Sequence, residues 1–157
     1  MTCGEFQAFT IEDTDKLGQW LAENLPTRCV ICLTGTLGSG KTRLVKAIAT
    51  ACQVPPLDVV SPTFVLCQHY QGTRLIHHFD AYRLNDDDEF LELGCEETFE
   101  SDALSIVEWG ERVKRCLPDD RLQIRIEIEP DCRRFVLECI GQLDVDLGKL
   151  PSPSPQS

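Results

Sequence analysis

The chain has 157 residues, with 15 Lys plus Arg against 26 Asp plus Glu and a formal net charge of −11. That length gives one compact domain a real core and is short for two. A surface this acidic repels phosphate backbones, which excludes unaided DNA or tRNA binding as a first reading. The longest apolar run, Cys29 to Leu33, falls far short of the ~20 residues a membrane span needs. Neither a basic nor an apolar leader opens the sequence, so the expected compartment is the cytoplasm. Nine scattered cysteines suit free thiols in a reducing compartment. Cys29 and Cys32 form a C-x-x-C, but in a strand residues three apart face opposite sides and chelate poorly.

In chain order, Thr14-Asp15 reads as a helix N-cap, followed by Leu17, Trp20, Leu21 and Leu25 at helical spacing until Pro26. Cys29 to Leu33 reads as a central parallel strand buried on both faces. After a glycine-rich loop, Leu44, Val45, Ala47, Ile48 and Ala51 mark one face of a second helix that stops before Pro55-Pro56. Phe64 to Tyr70 and Leu75 to Phe79 are strands expected to pair antiparallel across Gln71-Gly72. Asp86 begins a short acidic helix through Leu93, with Gly94 as its C-cap. Nine of the 26 acidic residues lie between Asp86 and Asp102 without an intervening Lys or Arg, which on charge alone reads more readily as a solvated loop than as a docking face. Leu104 to Val107 is a strand leading to Glu108-Trp109, then a short helix runs to Leu117. Leu122 to Ile128 and Arg134 to Ile140 close the domain as a hairpin around Pro130-Asp131. Residues 1–148 are thus expected to form one domain, and 149–157 a disordered Pro/Ser tail.

The chemistry starts at Gly35-Thr36-Leu37-Gly38-Ser39-Gly40-Lys41-Thr42, a complete G-x-x-x-x-G-K-[ST] with a strand before it and a helix after it. Glycines there let backbone N–H groups turn inward around phosphates at a helix N-terminus, and a Cβ at Gly35 or Gly40 would obstruct the turn or the ligand. Lys41 supplies a charge to the β- and γ-phosphates, and the Thr42 hydroxyl is a Mg²⁺ ligand. Such a site also needs a carboxylate for the metal and a group that places the attacking water. Asp80 and Glu108 both follow strands, where ligands of parallel sheets collect, and which of the two does which is open. Thr63, in Ser61-Pro62-Thr63-Phe64, is the candidate γ-phosphate sensor, although the local pattern alone reads more readily as a proline turn. Trp109 covers a nucleotide, contacts a partner or belongs to the core, Arg83 reaches phosphate or a surface ion pair, and His78 is expected to hydrogen-bond near the site with His77 facing the other side of the strand. Neither Asn24 nor Asn85, the only asparagines, is followed by Lys, so no guanine-reading Asn-Lys-x-Asp exists and ATP is the expected nucleotide. An acidic stretch where a kinase would bring an Arg-rich lid favours hydrolysis over phosphotransfer to a small molecule. A nucleotide-dependent adaptor without useful hydrolysis is the third class.

Together, the Gly35 to Thr42 loop, Ser61-Pro62-Thr63-Phe64, His78-Phe79-Asp80-Ala81-Tyr82-Arg83-Leu84 and Glu108-Trp109-Gly110-Glu111 resemble the ordered motifs of the TsaE (YjeE) family. The resemblance runs from the first helix to the closing hairpin. It implies a P-loop NTPase-like α/β fold, a mixed, mostly parallel sheet flanked by helices with a C-terminal β-hairpin. It further implies an ATP–Mg²⁺ site with Thr36 to Arg43 around the nucleotide, Thr63 in the switch, Thr42, Asp80 and Glu108 toward the metal, and Trp109 beside them. Family members act with TsaB-like and TsaD-like proteins in threonylcarbamoyl transfer to a tRNA adenosine next to the anticodon. A weak, partner-stimulated ATPase that reaches tRNA only through those partners needs no basic groove, in keeping with the charge of −11. Two positions depart from the family pattern: Thr36 stands where an acidic residue is usual, and Ser39 where Ala is common.

Overall fold

The computed structural model describes residues 2–55, 59, 67–82, 84 and 86–155. Its strands are β1 (Cys3–Ala8), β2 (Cys29–Gly35), β3 (Cys67–Gln71), β4 (Leu75–Asp80), β5 (Leu104–Glu108), β6 (Arg121–Ile128) and β7 (Arg133–Ile140). Its α-helices are α1 (Ile11–Asn24), α2 (Lys41–Ala51), α3 (Asp87–Glu92) and α4 (Cys95–Phe99), joined by 3₁₀ segments at Gly110–Cys116 and Leu147–Lys149. The seven strands form one sheet in the order β1-β7-β6-β2-β5-β4-β3. The central four, β6, β2, β5 and β4, are parallel, and the antiparallel pairs β1–β7, β6–β7 and β3–β4 extend it on both sides.

β2, β4 and β5 are buried on both faces, so their side chains split between two cores, whereas β6 buries only Leu122, Ile124 and Ile126 and leaves Arg125 exposed. Ile31, Leu33, Ile76, Leu104 and Ile106 pack under α1 and α2, while Val30, Cys32, Phe79 and Val107 pack against Phe90, Cys95, Phe99 and Val113 on the other face. This alternation places Cys29 and Cys32 in different cores, as a period of two requires, and all nine cysteines are free thiols. Burial pushes the Cys29 thiol up to about 12 and that of Cys32 to about 11. No helix among the described residues is long and apolar enough to cross a membrane.

Several local expectations shift. The first helix begins at Ile11, because Thr10 caps it: Thr10 Oγ1 accepts from Asp13 N at 3.1 Å, and Asp13 Oδ2 accepts from Thr10 N at 3.3 Å. Before it lies β1, an element absent from the sequence reading, whose inward side chains are only Phe6 and Ala8. The expected acidic helix ends at Glu92, and Gly94 (φ +76°) turns the chain into α4, which the pattern did not reveal. The strand expected from Phe64 is described only from Cys67, since 64–66 lie outside the described residues. The end of the chain departs most. Within the segment expected as a disordered tail, the described residues 149–155 lie against the body: Leu150 meets Gly4, and Ser154 N donates to the buried Asp13 at 2.7 Å. A carboxylate already holding a helix start thus offers its second oxygen to the far terminus.

Candidate functional site

The C-terminal ends of β2, β4 and β5 meet at one edge of the sheet, where Leu33, Glu108 and Asp80 are neighbours in register. β2 runs straight into the glycine loop. Gly35 takes φ +148°, and a Cβ there would press on Ser39 Oγ at 2.7 Å and Ile126 O at 2.8 Å, so this glycine is required for space. Gly38 (φ +79°) and Gly40 (φ +109°) are required for conformation only, since an added Cβ meets nothing within 4 Å. The obstruction expected at Gly40 is therefore not with the protein, and the open side faces the cavity. Gly40 starts α2 with no side-chain cap, leaving first-turn N–H groups to point out of the helix at its positive end.

Lys41, 5% exposed, bends back over this loop. Its ammonium donates to Gly35 O at 2.6 Å, Thr36 O at 2.9 Å and Ser39 Oγ at 3.4 Å, and lies 4.0 Å from the centre of the Trp109 ring. Burial pushes its pKa down, against the Glu108, Glu111 and Asp80 carboxylates that raise it. A desolvated cation among open N–H groups is built to take an anion. Trp109 itself has φ +61°, an unusual backbone for a bulky residue, fixed by its N–H donating to Leu33 O at 3.0 Å. This conformation turns the indole toward Lys41 and Tyr82, whose ring centroid is 4.8 Å away.

Glu108 is the most enclosed acid of the site, 3% exposed. One oxygen, Oε1, accepts from the Thr42 hydroxyl at 2.9 Å; the other, Oε2, is bonded by His78 Nε2. Asp80, half-buried, is its register partner, and Asp80 Oδ1 accepts from Tyr82 N at 3.0 Å. Asp80, Glu108, Lys41, Thr42, Trp109, Leu37, Gly38, Gly40 and Arg43 line one cavity of about 290 Å³. Arg43 also gives its guanidinium to Asp15 of α1 at 2.5 Å. Thr36 is exposed, and Ser39, buried, lines an adjoining cavity of about 370 Å³ beyond Gly38 and Gly40. Thr63 and Arg83 lie outside the described residues.

The sequence reading did not include the walls of that adjoining cavity, among them Thr10, Ile11, Pro130 and Arg133 from the two chain ends of the fold. Only the Pro130-Asp131 turn was visible beforehand, and nothing local placed it beside residue 10. His77 and His78 do face opposite sides. His77 meets His69 and Ser101 Oγ, the latter at 3.3 Å, whereas His78 is fully buried beneath the site.

The donor set of Thr42, Asp80 and Glu108 is all hard oxygen, which fits Mg²⁺. No group of three or more His, Cys, Asp or Glu among the described residues forms a metal cage. The loop fits a polyphosphate on the grounds of the open space at Gly38 and Gly40 and the first turn of α2, which no side chain caps.

A family model described as Threonylcarbamoyl adenosine biosynthesis protein TsaE matches residues 9–136. The chain belongs to the TsaE family. A protein of Aquifex aeolicus named tRNA threonylcarbamoyladenosine biosynthesis protein TsaE is 43% identical over 119 residues, covering 73% of this chain and 81% of its own. Namesakes in Mycobacterium tuberculosis (40% over 126 residues, 74% of each chain) and Treponema pallidum (32% over 125 residues, 80% of this chain and 92% of its own) agree. The crystal structure of Bacillus subtilis YdiB superposes with a TM-score of 0.71 at 26% identity, covering 88% of this chain and 86% of that one. The matched span of this TsaE-family chain contains the glycine loop, Asp80, Glu108 and Trp109.

Proposed function

We propose that this chain binds ATP with Mg²⁺ and hydrolyses it slowly, as a cytoplasmic accessory to threonylcarbamoyl transfer onto a tRNA adenosine by TsaD-like and TsaB-like partners. The observation that carries the nucleotide reading is the single cavity holding the glycine loop, Lys41, Thr42, Asp80, Glu108 and Trp109. Loop N–H groups and Lys41 grip the phosphates; the adjoining cavity walled by Thr10, Ile11 and Arg133 gives the base room. Thr42, Asp80 and Glu108 would hold Mg²⁺, which supplies charge neutralisation at the β- and γ-phosphate oxygens. Glu108, fixed on two sides, is the carboxylate best placed to orient a hydroxyl or water near Thr42. Trp109 keeps water from the Lys41 ammonium and so strengthens its pull on an anion. The pathway assignment is supported by the family description and the relatives' names.

Two measurements test it. Calorimetry with ATP and Mg²⁺ should show binding that Lys41→Ala weakens by about 30-fold. With γ-labelled ATP the label should leave as inorganic phosphate, faster once TsaB-like and TsaD-like partners are added. Label on an organic acceptor would mark a kinase instead. Undiminished tRNA modification with Glu108→Gln, in a reconstituted system, would mark an adaptor.

A further inference from the structure

Behind the cavity lies a row of buried polar groups that phosphate binding alone does not call for. His78 sits on β4 two residues before Asp80, on the same face of the sheet, where it is the diagonal neighbour of Glu108 on β5. It has no exposed surface, and Tyr70 of β3 is 3% exposed. The Tyr70 hydroxyl lies 3.1 Å from His78 Nδ1, His78 Nε2 bonds Glu108 Oε2, and Glu108 Oε1 accepts from Thr42. The direction of this row follows from chemistry. A carboxylate only accepts, so Nε2 carries a proton; in the neutral imidazole Nδ1 then accepts, and the phenol donates to it.

Such a row does little for packing. Tyr70 belongs to the apolar cluster under α1 and α2, where a phenylalanine would fill nearly the same volume without a hydroxyl to satisfy. What the row provides is a fixed carboxylate. A Glu side chain has a broad terminal torsion, so a bond to Thr42 alone leaves the plane of the group free to swing. Anchoring Oε2 from inside the sheet removes that freedom and presents Oε1 to Thr42 and the cavity.

We propose that His78, held by Tyr70, is the positioning residue of this site: it orients Glu108 through Oε2 without itself touching nucleotide. The inference rests on the nucleotide reading above. It is tested on the full chain with Tyr70→Phe, His78→Leu and His78→Gln, the last keeping an N–H donor. For each, three quantities are measured: ATP affinity without Mg²⁺, the Mg²⁺ concentration that half-saturates the ATP complex, and kcat. His78→Leu should lower kcat and raise the Mg²⁺ midpoint, each by about tenfold or more, as loss of a group supporting a metal-binding carboxylate does. Mg²⁺-free ATP affinity should stay within about twofold of the wild type, because Lys41 and the loop are untouched. Tyr70→Phe should move both quantities in the same direction by less, and His78→Gln should restore most of the His78→Leu loss. If His78→Leu does not fold, Tyr70→Phe and His78→Gln decide, the first by its shift and the second by a midpoint near the wild type. Wild-type kcat and Mg²⁺ midpoint in folded His78→Leu and Tyr70→Phe, beside an active wild type, overturn the inference alone. So does a uniform loss of all three quantities that His78→Gln does not relieve. A wild-type chain that binds no ATP overturns the nucleotide reading and this inference with it.

Discussion

Gly18→Val tests the packing on which the phosphate loop rests. Gly18 lies midway along α1 and is buried where that helix crosses α2, the helix that Lys41 begins. A Cβ at Gly18 would overlap the Ala47 side chain outright, and would come within 2.7 Å of Ala47 C and 2.9 Å of Ile48 N. Carbon contacts are comfortable at about 3.5–4.0 Å, so the helices must part by about 1 Å. Two of those three neighbours are backbone atoms, which no rotamer change can withdraw. Overpacking costs about 1–3 kcal/mol, and valine's two further methyls put it near the upper end. Replacing a mid-helix glycine by valine returns only about 0.5 kcal/mol of helix propensity. The net destabilisation is about 2.5 kcal/mol, a fall in Tm of about 5–10 °C for a domain of this size. Thermal and urea unfolding followed by circular dichroism measures it. ATP affinity well below the transition should also fall, because α2 carries Lys41 and Thr42. A melting temperature within about 2 °C of the wild type would refute the close-packing argument.

Lys41→Ala should weaken ATP binding by about 30-fold, the loss of a charge-assisted bond of about 2 kcal/mol, while leaving a cooperative melt; calorimetry and a thermal scan check both halves. Asp13 should govern acid stability. Burial alone would raise its pKa, but N–H donors from Ser154, Phe9 and Thr10 bring it from 3.8 down to about 2. Its stabilisation is thus full above about pH 4 and lost as pH falls toward 2. Urea midpoints taken between those values should drop more steeply for the wild type than for Asp13→Asn. Iodoacetamide at pH 8 should modify the exposed Cys3 first and leave Cys29 and Cys32 untouched until denaturant is added, since burial holds both thiols far above that pH; mass spectrometry of the labelled peptides reads the order.

What could be read in advance was whatever has a short-range signature. The strand–loop–helix unit from Cys29 to Ala51 announces itself because glycine spacing, an apolar run and helical periodicity are consecutive. Asp80 and Glu108 could be chosen because each ends an apolar strand, and parallel neighbours in register brought them together. A hydrogen bond from His78 near the site could be expected too, but not that Glu108 is its partner, because that depends on how β4 aligns with β5 across an intervening stretch of chain. β1 escaped notice because an edge strand with two inward side chains barely departs from a polar segment. The helix start was misplaced by four residues because Thr14-Asp15 and Thr10 with Asp13 both look like caps, and only the backbone geometry distinguishes them. The docking of Ser154 on Asp13 joins residues 141 apart, beyond any local pattern.

The order of the sheet also bears on synthesis. β2 carries the glycine loop, yet both strands that flank it, β5 and β6, come from residues 104 onward. A nascent chain of the first hundred residues would hold the entire loop and its helix with neither edge of β2 covered, leaving Val30, Ile31 and Leu33 without sheet neighbours. Insertion of β5 covers one edge of β2 and delivers Glu108 in the same event, while the other edge waits for β6, so ligand competence precedes full protection against aggregation.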